Sequence, residues 1–118
     1  MEITLDIKKL LKRMFYGESD IDIELIANMM DSELVLKVVN ELPTLERIVI
    51  KMRYDLLNPY GTDEIVHALN SCYGCEHGRY IRRYFDSAIH NLKHPKNYAR
   101  MFPENVVSAI EEMIKITS

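Results

Sequence analysis

Metal-ligating side chains gather in one place in this chain. The stretch "NSCYGCEHG", Asn70 to Gly78, carries Cys72, Cys75 and His77, and His67 stands just ahead of it. A C-x-x-C spacing lets two thiolates reach one tetrahedral ion from a single turn, so a zinc site would use Cys72, Cys75 and His77 with His67 as fourth ligand. Against zinc, the sequence has no second C-x-x-C, and C-x-H is not standard spacing. Read as a redox pair, "CYGC" needs a helix N-terminus to activate its first thiol. No strand-then-helix context surrounds it. The third reading is an irregular insertion with two reduced cysteines, in which Gly74 and Gly78 permit unusual backbone. This third reading is the favoured one.

A second concentration follows at once. "RYIRRYFDSAIHNLK", Arg79 to Lys93, places Ile81, Tyr84, Phe85, Ala88, Ile89 and Leu92 at helical spacing. Its outward face carries Arg79, Arg82, Arg83, His90 and Lys93. Arginines at the start of a helix oppose its dipole, so another role favours them there. A helix that reads DNA presents that end to base edges and phosphates. A solvated basic face is the plainer alternative.

The elements that must position these residues read as helices throughout. No alternating run of period two appears, and Gly and Pro, four of each, punctuate helical patterns. The expectation is an all-α domain of about five to six helices over 1–118. A helix over about 3–15 carries Ile7, Leu10, Leu11 and Met14 and stops at Gly17. A second pattern starts near Asp20, and Asp31 or Ser32 caps a third over Glu33 to Asn40, unless the two run as one helix. Pro43 opens a helix bearing Leu45, Ile48, Val49 and Met52. Thr62 or Asp63 caps "DEIVHALN", with Ile65, Val66 and Leu69 inward. Pro95 ends the basic helix, with His94 as a C-terminal residue favourable to the dipole when protonated. A last helix runs from near Pro103 to about Ile116. A short capped helix, a turn and a longer basic helix make helix-turn-helix order, here with an enlarged turn.

"LPTLERIVIKMRYDL", "TDEIVHAL" and "YIRRYFDSAIHNLKHP" together resemble region 4 of the bacterial sigma-70 family, which typically reads "LPxRERxVLxxRYGL", "TLEEIGxxLGVS" and "RVRQIExxALxKLRHP". The resemblance spans 42–95, leaving N-terminal helices over 1–41 and a C-terminal helix over 96–118. It implies that Arg82 and Arg83 stand where the family contacts −35 promoter bases. Arg79 falls on a third such position, where the family usually has glutamate, and Gly78 falls where it often has arginine. Arg53 matches an arginine near the DNA backbone. Ile81, Tyr84, Ala88, Ile89 and Leu92 match core positions. The family's short "LGVS"-type turn is replaced here by a stretch about five residues longer, the cysteine-bearing one. The implied function is a DNA-binding transcription regulator acting with RNA polymerase at promoters, docking on the polymerase β flap. The first 40 residues are too short for the region that melts the −10 element. The alternative is a module that binds polymerase or a sigma factor as mimic or inhibitor without reading DNA.

Composition frames both readings. Net charge is −3 over 118 residues, whereas a protein that coats DNA is usually basic overall, so any DNA contact rests on a local patch. Two cysteines and a charged N-terminus suggest a reducing cytoplasm, and no run approaches a membrane span. No paired carboxylates, nucleophile motif or phosphate-cradling loop marks an enzyme. Seven methionines read as core filler. Leu25, Met29 and Met30, or Val106, Ile110 and Ile114, are either core or the surface of a homodimer.

Overall fold

A computed structural model of the chain describes residues 5–73 and 80–117. These form eight α-helices and no strand: α1 (Ile7–Met14), α2 (Ile23–Met29), α3 (Ser32–Asn40), α4 (Thr44–Arg53), α5 (Thr62–Tyr73), α6 (Ile81–Leu92), α7 (Pro95–Met101) and α8 (Glu104–Thr117). The all-helical expectation holds, but five to six helices was too few. The second and third patterns are separate helices, and α7 went unforeseen. None of the described helices is long and apolar enough to cross a membrane.

Local chemistry accounts for the boundaries. Aspartates cap the first three helices: Asp6 accepts from the Lys9 N–H, Asp22 from Leu25 and Asp31 from Glu33. Asp22 and Asp31 thereby split 20–40 into two helices. Gly17, with φ of 90°, takes the left-handed turn after α1. Pro43 stands just before α4 rather than inside its first turn. The segment between α4 and α5 is closed by Asp55, whose carboxylate accepts from the N–H groups of Leu57 and Asn58.

Two expectations about caps are corrected. Neither Thr62 nor Asp63 is the residue ahead of α5. That place belongs to Gly61, whose carbonyl accepts from the Ile65 N–H, while Glu64 reaches back to accept from the Gly61 N–H at 3.2 Å. This is half of a capping box, and it leaves the Thr62 hydroxyl available for another bond. His94, expected at the end of the basic helix, instead begins the next one. Its Nδ1 accepts from the Lys96 N–H at 3.2 Å, and Pro95 occupies the first position of α7. Pro95 therefore both ends α6 and starts a helix.

One apolar core runs through all eight helices, with Leu10, Ile26, Val39, Val49, Ile50, Ile65, Leu69, Leu92, Phe102 and Val106 at 1% exposure or less. Met30, Val106 and Ile110 belong to this core, whereas Leu25 and Ile114 are exposed, so the two stripes proposed as core or dimer surface divide between both. Phe102 anchors the α7 side, stacked on Tyr98 at 4.3 Å and edge-on to Phe15 at 5.8 Å. Around the basic helix, α6 packs chiefly on α4, helped by the Asn91 amide donating to Glu46 at 2.6 Å. Its contacts with α5 and α7 are slighter. Leu5 pairs with Asp55 in an isolated bridge, and the Asp6 N–H donates to the Tyr54 carbonyl at 2.7 Å. This ties the start of α1 to the end of α4.

Candidate functional site

The sequence-derived site residues fall into three groups. Arg79, Cys75, His77 and Gly78 lie outside the described residues, as does Gly74. Cys72 and His67 are both exposed on α5, and Cys72 sits in the last turn of the helix rather than in a loop. Residues Asn70 to Tyr73, read as the start of an enlarged turn, are thus helix. Five residues apart on a helix means about 140° of rotation, so His67 and Cys72 face different directions and do not converge on one ion. Among the described residues no group of three metal-type side chains comes together. For the redox reading, Cys72 occupies the carbonyl end of α5, the opposite of the N-terminal place that activates a thiol.

The third group is basic. Arg82 and Arg83 are exposed in the first turn of α6, which holds no acidic residue. Ile81, Ala88 and Leu92 bury the opposite face, and Tyr84, Phe85 and Ile89 are half-buried beside them. The helical period therefore forces both arginines outward. The Arg83 guanidinium lies 5.3 Å from the centre of the Tyr80 ring, a cation–π contact. Lys93 is exposed at the far end of the same helix. A rotation of about 100° per residue puts Arg82, Asp86, His90 and Lys93 on one exposed stripe, with Asp86 in its middle.

Arg53, from the last turn of α4, is held from two sides. Its Nη1 donates to Thr62 Oγ1 at 2.8 Å, and its guanidinium sits 5.6 Å from the centre of the Phe85 ring. It lines a cleft of about 510 Å³ with Arg13, Thr62, Arg82, Phe85 and Asp86. Arg13 belongs to α1, outside the segment that resembles region 4. It donates to Asp86 at 3.2 Å, bridging α1 and α6. Three arginines and one carboxylate thus line the same cleft, and Arg13 alone of the three bonds to Asp86. Tyr54 also lines the cleft. Burial raises its phenol above the usual 10.0, while the neighbouring Arg13 and Arg53 charges act in the opposite sense.

Arg13 and Asp86 were not singled out from the sequence, and Thr62 was read only as a helix cap. Asp86 carried a legible signal, an acid three and four residues after two arginines on one helix. It pairs with neither in the structure. Nothing in the sequence could have placed Arg13 beside them, since that contact spans 73 residues.

Comparison with protein-family models, with curated proteins and with solved structures finds no match in any of the three.

Proposed function

We propose that this chain is a DNA-binding transcription regulator, in which α5 and α6 act as a helix-turn-helix like that of sigma region 4 and the chain works with RNA polymerase at promoters. The observation that carries the reading is the exposed pair Arg82–Arg83 at the start of α6, against the helix dipole, with Arg53 lining the same cleft as Arg82. The three segments in family order, "LPTLERIVIKMRYDL", "TDEIVHAL" and "YIRRYFDSAIHNLKHP", support it further. They fall on α4, on α5 and on α6 with its exit. In this role α4 backs the reading helix through its packing and the Asn91–Glu46 bond. Each arginine that pairs bidentately with a guanine edge is worth about 1–3 kcal/mol of discrimination. Each one that holds a phosphate adds affinity and salt dependence without specificity.

The test is binding of a duplex promoter library by the wild type and by Arg82→Gln/Arg83→Gln, at several salt concentrations. The expected result is weaker binding and a shallower salt slope for the variant. Equal affinities and equal slopes for the two proteins would sink the proposal.

A second reading has its own observation. Asp86 in the middle of the basic stripe, together with the net charge of −3, is unfavourable for a surface laid on DNA. In that reading the chain binds polymerase or a sigma factor as a mimic or inhibitor. Pull-down with purified RNA polymerase and sigma factor separates the two: capture without any DNA affinity favours the second.

A further inference from the structure

We infer that the cleft between α1, α4, α5 and α6 is a seat for one phosphate of the nucleic-acid backbone, with Arg13 as a binding residue and Asp86 as the internal group that competes for it. This rests on the DNA-binding reading and adds to it a residue from α1, outside the resemblance. The chemistry is that of an oxyanion clamp. Arg53 is pre-set, because Thr62 and Phe85 fix its guanidinium from two sides. Arg82 lines the same cleft and makes no hydrogen bond or ion pair with the described residues. Arg13 completes the set, yet gives one bond to Asp86 at 3.2 Å. A planar guanidinium carries five N–H donors, so that single bond leaves most of them unspent. Arg13, Arg53, Thr62, Arg82 and Asp86 are all exposed, so the cleft opens to solvent and admits a group that belongs to a longer strand. Its volume of about 510 Å³ lies within the range of ligand-sized clefts.

Asp86 sets the sign of the test. If the Arg13–Asp86 pair only braces α1 against α6, removing either partner weakens the protein in the same way. If the cleft seats a phosphate, the two removals act in opposite directions on binding. The experiment measures affinity of the full chain for a labelled duplex against salt concentration, for wild type, Arg13→Gln, Asp86→Asn, Arg82→Gln and Lys12→Gln. Lys12 is exposed one residue away on α1 and lines no part of the cleft, so it controls for a simple loss of charge.

The expected result is a salt slope shallower by about one for Arg13→Gln, the size of one phosphate contact. Asp86→Asn binds several-fold tighter, and Lys12→Gln keeps the wild-type slope. Thermal melting of each variant checks that it is folded. An Arg13→Gln slope equal to wild type, with Arg82→Gln still impaired, overturns the cleft and leaves the DNA reading standing. Asp86→Asn weakening in step with Arg13→Gln also overturns it. Absence of duplex binding by the wild type overturns both. Titration with inorganic phosphate, followed through the arginine side-chain NMR signals, separates the source of the anion. Saturable binding of the free ion, with duplex affinity unchanged in Arg13→Gln, overturns the backbone assignment.

Discussion

Two junctions in this molecule are each bridged by an arginine and a carboxylate, and they are built differently. At the α3–α7 junction, Arg100 gives both arms of its guanidinium to Glu41, each at 2.7 Å. At the α1–α6 junction, Arg13 reaches Asp86 with one bond at 3.2 Å. The first pair is bidentate and lines a cleft beside buried Val38 and Leu42. The second sits at the rim of a cleft that holds two further arginines. The first is a closed arrangement, with Glu41's carboxyl held below its usual 4.5 chiefly by the Arg100 hydrogen bonds. The second leaves donors over. The same pair of residue types thus serves as a brace in one place and as part of an open positive site in the other, and the neighbours decide which.

Substitutions at the two junctions should therefore be read out in different ways. The largest effect belongs to the core beside α7. Phe102→Ala removes the ring packed on Tyr98 and Phe15, and should cost about 3–5 kcal/mol in chemical denaturation. At temperatures where the variant is folded its duplex affinity should be that of the wild type. A cost below about 1 kcal/mol would show that the α7 side is not the anchor described.

Next comes the brace itself. Arg100→Gln should lower the melting temperature by much less than Phe102→Ala, because the pair is partly solvated and screened. Its effect should depend on pH. Glu41's folded-state value is lowered, so the pair's contribution is present above pH 4.5 and is lost as pH falls through the lowered value. Wild type and Arg100→Gln should differ in melting temperature at neutral pH and converge in acid. A difference that is constant across that range would remove the linkage.

The smallest stability effect is expected at the open site. Arg13→Gln should leave the melting temperature almost unchanged while altering the salt dependence of duplex binding. The reverse, a large thermal shift with unaltered binding, would make Arg13–Asp86 a second brace and erase the contrast.

Charge is also divided unevenly along the chain. Residues 1–41 hold nine acids against five bases, whereas 42–95 hold six acids against seven bases. The net negative charge is thus a property of the N-terminal helices, and the average over the chain hides the local surplus near α6.

Much of the fold was legible because it is written in local rules. The period of α6 gave Ile81, Ala88 and Leu92 as inward and Arg82 and Arg83 as outward, and the structure has them so. Asp31 or Ser32 was expected to cap a third helix, and Asp31 is the one that does. Other features were hidden for identifiable reasons. Helix α7 is seven residues long and mostly polar outside Tyr98 and Met101, too short to show a period. Its start was masked by a proline that also ends α6. The cysteine stretch, with Gly74 and Gly78 inside it, looked like a loop, yet α5 continues through Cys72 to Tyr73.

The sequence by itself determined an all-helical chain, the faces of its longer helices and the basic start of α6, since each depends on residues within a few turns of one another. Only the tertiary structure decided which charges meet. Arg13, Arg53, Thr62, Arg82 and Asp86 come from four helices, brought together by the bridge between Leu5 and Asp55 and by the packing of α6 on α4. No periodicity encodes such a meeting, because it follows from how the apolar faces stack in three dimensions rather than from the spacing of residues along any one helix.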